Sequence, residues 1–189
     1  MSRPTYRPRH SATPIDTLIT MEYAQTKGSV NTDELGMREM QQRVFDQRNA
    51  QYLLVKAPPA SGKSRALMFV GLDKLFNQGR KKVIVAVPER SIGQSFANTE
   101  LTEHGFWADW EVKPENNLCT PGGDQGKVKR FLEFKAGPDP VLVCTHATLR
   151  YAFDRTSPSD FDGTVLAIDE FHHVSADTAS SRLGALLAE

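Results

Sequence analysis

The sequence predicts an α/β fold, a mostly parallel sheet flanked by helices. Three observations carry that reading. Short aliphatic and β-branched runs at 51–56, 82–87, 140–144 and 164–168 have the length of strands. Segments of helical periodicity at 62–78, 127–135 and 147–153 stand between them. The runs are nearly unbroken rather than alternating, as in strands covered on both faces by βαβ crossovers.

In chain order, residues 1–12 are rich in Arg, Pro and Ser and read as a flexible tail. That tail belongs to a region 1–32 set apart from a domain at 33–189. Thr13, Pro14 and Asp16 offer a cap, a first-turn proline and a first-turn acid. They predict a short helix with Ile15, Leu18, Ile19 and Tyr23 on one face. A second helix is expected over 33–47, with Met37, Met40, Val44 and Phe45 at helical spacing. After the strand at 51–56, the helix at 62–78 should turn Leu67, Val70, Leu75 and Phe76 inward and end at Gly79. The strand at 82–87 is stopped by Pro88. Residues 91–99 read as helical, 106–112 as a strand and 115–125 as loop. The remaining strands and helices alternate to 168, and no internal repeat shows.

Composition narrows the class. With 39% apolar and 24% charged residues, the chain is neither wholly disordered nor a membrane bundle. Its longest purely apolar runs are about five residues, far short of a bilayer span. The N-terminal cations have no apolar run behind them, so they do not form a secretory signal. Cys119 and Cys144 form no close pair, which suits a reduced, cytoplasmic protein. Net charge is zero. From 154 to 189, however, seven acids face only Arg155 and Arg182, so any surface for a polyanion should lie earlier in the chain.

The strongest motif sits between the first of these strands and its helix: Ala57, Pro58, Pro59, Ala60, Ser61, Gly62, Lys63, Ser64. It fits G-x-x-x-x-G-K-[ST] except that Ala57 replaces the first glycine. A compact loop of this kind aims backbone N–H groups at phosphates, and the following helix adds positive potential at its N-terminus. Lys63 would reach the β- and γ-phosphates, Ser64 would ligate Mg²⁺, and Gly62 would let the backbone approach.

The strand at 164–168 runs into Asp169, Glu170, Phe171, His172 and His173. Ligands of open parallel sheets bind outside the carboxyl ends of the strands, so this acid pair and the phosphate loop can share a crevice. Asp169 would join the Mg²⁺ shell, and Glu170 would accept a proton from the attacking water. The two histidines lack the H-E-x-x-H pattern and a third ligand, which argues against a zinc site.

These motifs in this order resemble motifs I and II of superfamily 2 DExH-type helicases and translocases. Arg38 and Gln41 resemble the R-x-x-Q element ahead of motif I, whose Gln reads adenine, with Gln42 as a competing assignment. Pro88, Arg90 and Gln94 resemble motif Ia, and Thr145 and His146 motif Ib, both facing nucleic acid. The Asp-Glu-Phe-His-His run is similar to helicase subunits of type III restriction enzymes. The resemblance spans about residues 35–175.

It implies a RecA-like first motor domain that binds ATP and Mg²⁺ and works on DNA or RNA. It also assigns His172 to inter-domain coupling. A second RecA-like domain with arginine fingers would be missing from this chain, so that slow hydrolysis is expected. A nuclease or methyltransferase subunit is a possible partner. Ala60 departs from the family, which often has glycine there, and Ser64 replaces the commoner Thr. The basic stretches 80–82 and 127–130 could support strand binding or form solvated helix faces. A nucleotide-gated binding module without motor activity is the alternative reading, and a small-molecule kinase lacks a visible lid or acceptor site.

Overall fold

The computed structural model describes residues 17–20, 32–120 and 126–170. The flexible tail expected at 1–12, most of the region 1–32, and His172 and His173 lie outside the described residues.

Among the described residues, all strand pairs are parallel. β3 (Lys82–Val87) lies between β4 (Val141–Thr145) and β5 (Thr164–Ile168), while β1 (Thr17–Thr20) pairs with β2 (Leu53–Lys56). The helices are α1 (Glu39–Asp46), α2 (Lys63–Phe76), α3 (Lys127–Ala136) and α4 (His146–Phe153). This is the parallel sheet flanked by helices that the alternating pattern predicts.

The period of two along each strand sorts the core into two layers. Val83, Val85 and Val87 of β3 pack with Val141 and Val143 against Met40, Val44, Phe69 and Trp110. Ile84 and Ala86 turn the other way, with Leu142 and Cys144, onto Phe131, Phe134, Leu149 and Ala152. Every residue from Val83 to Val87 is fully buried, which explains the unbroken apolar run.

Several expectations are corrected. The segment expected to form a helix from Thr13 contains a strand instead, with Thr17 opposite Leu53 and Ile19 opposite Val55. Three of its four residues are β-branched, and pairing with β2 outweighs the local capping signal. The segment 106–112 is not a strand. Trp110 alone bridges Thr99, and its indole Nε1 donates to the Phe96 carbonyl at 3.1 Å. Phe106, Trp110 and Val112 look alternating because a loop inserts them one by one into the core. Residues expected to be helical after Pro88 form a short 3₁₀ turn, Ile92–Phe96. Phe76, expected inside, is 67% exposed on the last turn of α2 and meets Trp107 edge-on.

Lys82 sits at the amino end of β3, the opposite end of that strand from Pro88 and Arg90. Its ammonium donates to the carbonyls of Phe134, Gly137 and Asp139 at 3.0, 2.8 and 2.9 Å. It caps the C-terminus of α3, where a cation complements the helix dipole. This lysine of the 80–82 stretch therefore ties the start of β3 to the end of α3.

Candidate functional site

Because β2 to β5 are parallel within their sheets, their carboxyl ends carry the motifs: the phosphate loop after β2, Pro88 and Arg90 after β3, Thr145 and His146 at β4, and Asp169 and Glu170 after β5. The phosphate loop and the acid pair converge. Lys63 Nζ lies 3.8 Å from Glu170 Oε1. The same ammonium donates to the Ala57 carbonyl at 3.2 Å and the Pro58 carbonyl at 3.4 Å, so the loop wraps its own lysine.

The loop has features of an anion cradle. Gly62 caps α2 with φ +90°, and a Cβ there would meet Gln41 Nε2 at 2.5 Å. Only glycine fits this position without strain. Ser61 Oγ is buried and finds no hydrogen-bond partner among the described residues. A buried hydroxyl without a partner is costly, and a phosphate oxygen would satisfy it. Ala60, the departure from glycine, has φ +58°. The structure thus strains an L-residue where the resembling family often has none.

Gln41 is 2% exposed and spends both ends of its amide. Its Oε1 accepts from Arg38 N at 2.8 Å, and its Nε2 donates to the Gly62 carbonyl at 3.2 Å. Gln42 is exposed, so of the two candidates it is Gln41 that touches the phosphate loop. Arg38 is exposed at the start of α1.

On the acidic side, the Asp169 carboxyl is raised above the usual carboxylate range, first by burial and then by the charge of Glu170. Glu170 has φ +51°, a second strained L-residue in the same cleft. Two adjacent carboxylates and the Ser64 hydroxyl are hard oxygen donors of the kind Mg²⁺ takes, and a dication would relieve their repulsion. The donor set fits the ion. No cluster of three His, Cys, Asp or Glu side chains suited to a metal occurs among the described residues. The fit therefore relies on phosphate oxygens completing the shell.

Beside this cleft runs a trough of about 610 Å³ whose lining includes Pro88, Arg90, Lys127, Thr145, Thr148 and Tyr151. Lys127 and Arg90 both pull down on the Cys119 thiol, although burial still pushes it up to about 11. The trough gathers Pro88, Arg90 and Thr145 from the expected nucleic-acid residues. Gln94 is exposed on the 3₁₀ turn and is not among the lining residues. His146 turns its Nε2 to the Asp169 carbonyl, 3.0 Å away. Lys127 lay within a basic stretch legible in the sequence, but its place in the trough depends on how α3 packs. Thr148 falls within the 144–149 stretch that resembles motif Ib, whereas Tyr151 carried no sequence signal.

The family profile described as DEAD/DEAH box helicase matches residues 38–189. The chain belongs to that family. It is also 63% identical over 173 residues to a Bacillus subtilis (strain 168) protein named "Putative ATP-dependent helicase YeeB", covering 92% of this chain. The chain spans 28% of the length of that relative. No solved structure gives a significant match. The fold is therefore a RecA-like α/β domain of the helicase type. Among the described residues no helix is long and apolar enough to cross a membrane.

Proposed function

We propose that this chain is the ATP-binding first motor domain of a cytoplasmic helicase or translocase, with residues 33–189 forming the domain. The observation that carries the reading is the convergence of Lys63 and Glu170 at 3.8 Å, beside the buried, unsatisfied Ser61 hydroxyl.

In this reading the loop from Ala57 to Ser64, with Pro58, Pro59, Ala60, Ser61 and Gly62 between them, cradles the triphosphate. Lys63 leaves the Ala57 and Pro58 carbonyls for the phosphate oxygens. Gln41, next to Arg38, braces the loop's flank, and to read the adenine it would have to give up its bonds to Arg38 N and the Gly62 carbonyl. Ser64 and Asp169 would hold Mg²⁺, which when bound neutralises developing charge on the phosphates. Glu170 takes the proton of the attacking water.

Arg90, Lys127, Thr145 and Thr148 contact the sugar–phosphate backbone of DNA or RNA, so base sequence is read little. A second RecA-like domain of a longer protein supplies arginine fingers, which are typically worth about 10³–10⁵ in rate. A nuclease or methyltransferase subunit is a compatible partner of such a motor.

The test is phosphate release by the longer protein that contains this domain, with and without DNA or RNA. Stimulation by one polynucleotide, abolished by Glu170→Gln, supports the motor. Turnover that survives Glu170→Gln removes the assigned base. Nucleotide binding with no polynucleotide-stimulated turnover favours a non-motor binding module.

A further inference from the structure

We propose that His146 is a positioning residue that transmits occupancy of the trough to the Asp169–Glu170 turn, linking polynucleotide and nucleotide binding through one hydrogen bond. The inference rests on the reading of the trough as a polynucleotide site.

His146 belongs to both places. Thr145, Ala147 and Thr148, its neighbours in sequence, line the trough. Its ring reaches the other way, with Nε2 3.0 Å from the Asp169 carbonyl oxygen. A carbonyl can only accept, so Nε2 carries the hydrogen of this bond.

The bonded carbonyl belongs to the peptide that joins Asp169 to Glu170. Fixing that peptide fixes the backbone angle that sends Glu170 into its left-handed conformation, φ +51°. An L-residue keeps such a value only where its surroundings impose it. The turn is pinned on the other side by Asp169 N, which donates to the Ala86 carbonyl of β3 at 2.9 Å. The sheet thus holds one end of the Asp169 backbone and α4 the other. Glu170, released or held by this arrangement, is the side chain that faces Lys63.

The trough end of the lever is equally specific. Thr145 caps α4: its hydroxyl accepts from Thr148 N at 3.2 Å and lies 3.0 Å from the Thr148 hydroxyl. The pair uses one hydroxyl hydrogen between them and leaves one to spare, and a phosphate oxygen that accepts the spare hydrogen draws the cap toward the trough. The first residue of α4, His146, moves with it. No through-space charge effect is needed, because one backbone segment carries both the trough hydroxyls and the ring.

The experiment measures linkage rather than either affinity alone. A fluorescent ATP analogue is titrated into the 189-residue chain with and without a saturating single-stranded oligonucleotide. The reverse titration closes the cycle, since linkage must be reciprocal. Wild type is expected to show a coupling factor of about 5 or more. His146→Leu should bring the factor within about twofold of unity, and His146→Gln, which keeps a donor near the Nε2 position, should restore it. A merely structural defect would weaken both ligands together and lower the melting temperature without abolishing the ratio.

Coupling that persists in His146→Leu overturns the proposal. So does a loss of oligonucleotide affinity in the nucleotide-free His146→Leu chain with the ratio unchanged, which would make His146 a direct contact. Wild type that binds both ligands without linkage overturns the proposal and leaves the trough reading intact. Wild type that binds no oligonucleotide overturns both.

Discussion

The ammonium of Lys63 lies 3.8 Å from the Glu170 carboxylate, joining the loop after β2 to the turn after β5 although the two strands belong to different ladders. Around this contact the protein accepts unfavourable local states: a buried hydroxyl without a partner, two L-residues with positive φ and a crowded acid pair. Such costs cluster where a ligand is to be received. Each one can be removed separately, and each removal has an expected result.

Asp169 is the first. Its carboxyl is raised by burial and by Glu170, so the folded chain holds this proton more tightly than the unfolded chain does. The favourable contribution is complete below the unfolded value and is lost as pH rises through the folded value. Near neutral pH the ionised group is therefore a cost. Asp169→Asn should melt higher there, by about 2–4 °C for each kcal/mol relieved, and the advantage should shrink as the pH falls into the acid range. Thermal melts across that range check the sign. An Asn variant that melts lower at neutral pH would show that the carboxylate is stabilised by groups other than those named.

Ala60 is the second. At φ +58° it bears the steric cost of the left-handed region, about 1–2 kcal/mol for an L-residue. Ala60→Gly should recover about 0.5–1 kcal/mol after the added backbone entropy of glycine is counted. Denaturant unfolding measures this directly, and destabilisation would mean that the Ala60 methyl makes contacts worth more than its strain.

Gln41 couples the two sides of the phosphate loop. Gln41→Ala removes the bonds to Arg38 N and the Gly62 carbonyl, at about 0.5–1.5 kcal/mol each. Gln41→Glu keeps the acceptor for Arg38 N and loses the donor to Gly62. Nucleotide affinity should fall in both variants, and stability should fall further in Gln41→Glu, which buries a carboxylate against the Gly62 carbonyl oxygen. Equal affinities in wild type and Gln41→Glu would separate this side chain from the loop's function.

Lys82 serves as the structural control. Its three bonds to carbonyls at the end of α3 are charge-assisted, and Lys82→Met should cost about 2–3 kcal/mol of stability. Because its bonds go to the end of α3 and not to the phosphate loop, it should leave nucleotide affinity unchanged at temperatures where the variant is folded. A loss of affinity there would mean that the end of α3 is coupled to the loop.

The parts legible in the sequence were those fixed by short-range rules. β3 spans 82–87 as its apolar run predicts, and the Gly-Lys-Ser loop opens a helix. The burial of Gln41 was also available: it stands four residues after Met37 and four before Phe45, on the apolar face of α1. β1 was not legible, because four residues acquire strand character only from their pairing with β2. Trp110 and Phe106 are core residues in a loop, where no period applies. The bond from His146 to Asp169 needed the strand order β4-β3-β5, which brings the end of β4 within reach of the turn after β5. Nothing in the spacing of those residues encodes it.

The central claim is that Lys63 and the acid pair form one triphosphate pocket. Equilibrium titration of the chain with a fluorescent ATP analogue, with and without Mg²⁺, tests it most directly when wild type and Lys63→Ala are compared. Saturable, Mg²⁺-dependent binding that weakens more than about tenfold in Lys63→Ala, at least 1.4 kcal/mol, is the expected result. Equal affinity in the two proteins would contradict it.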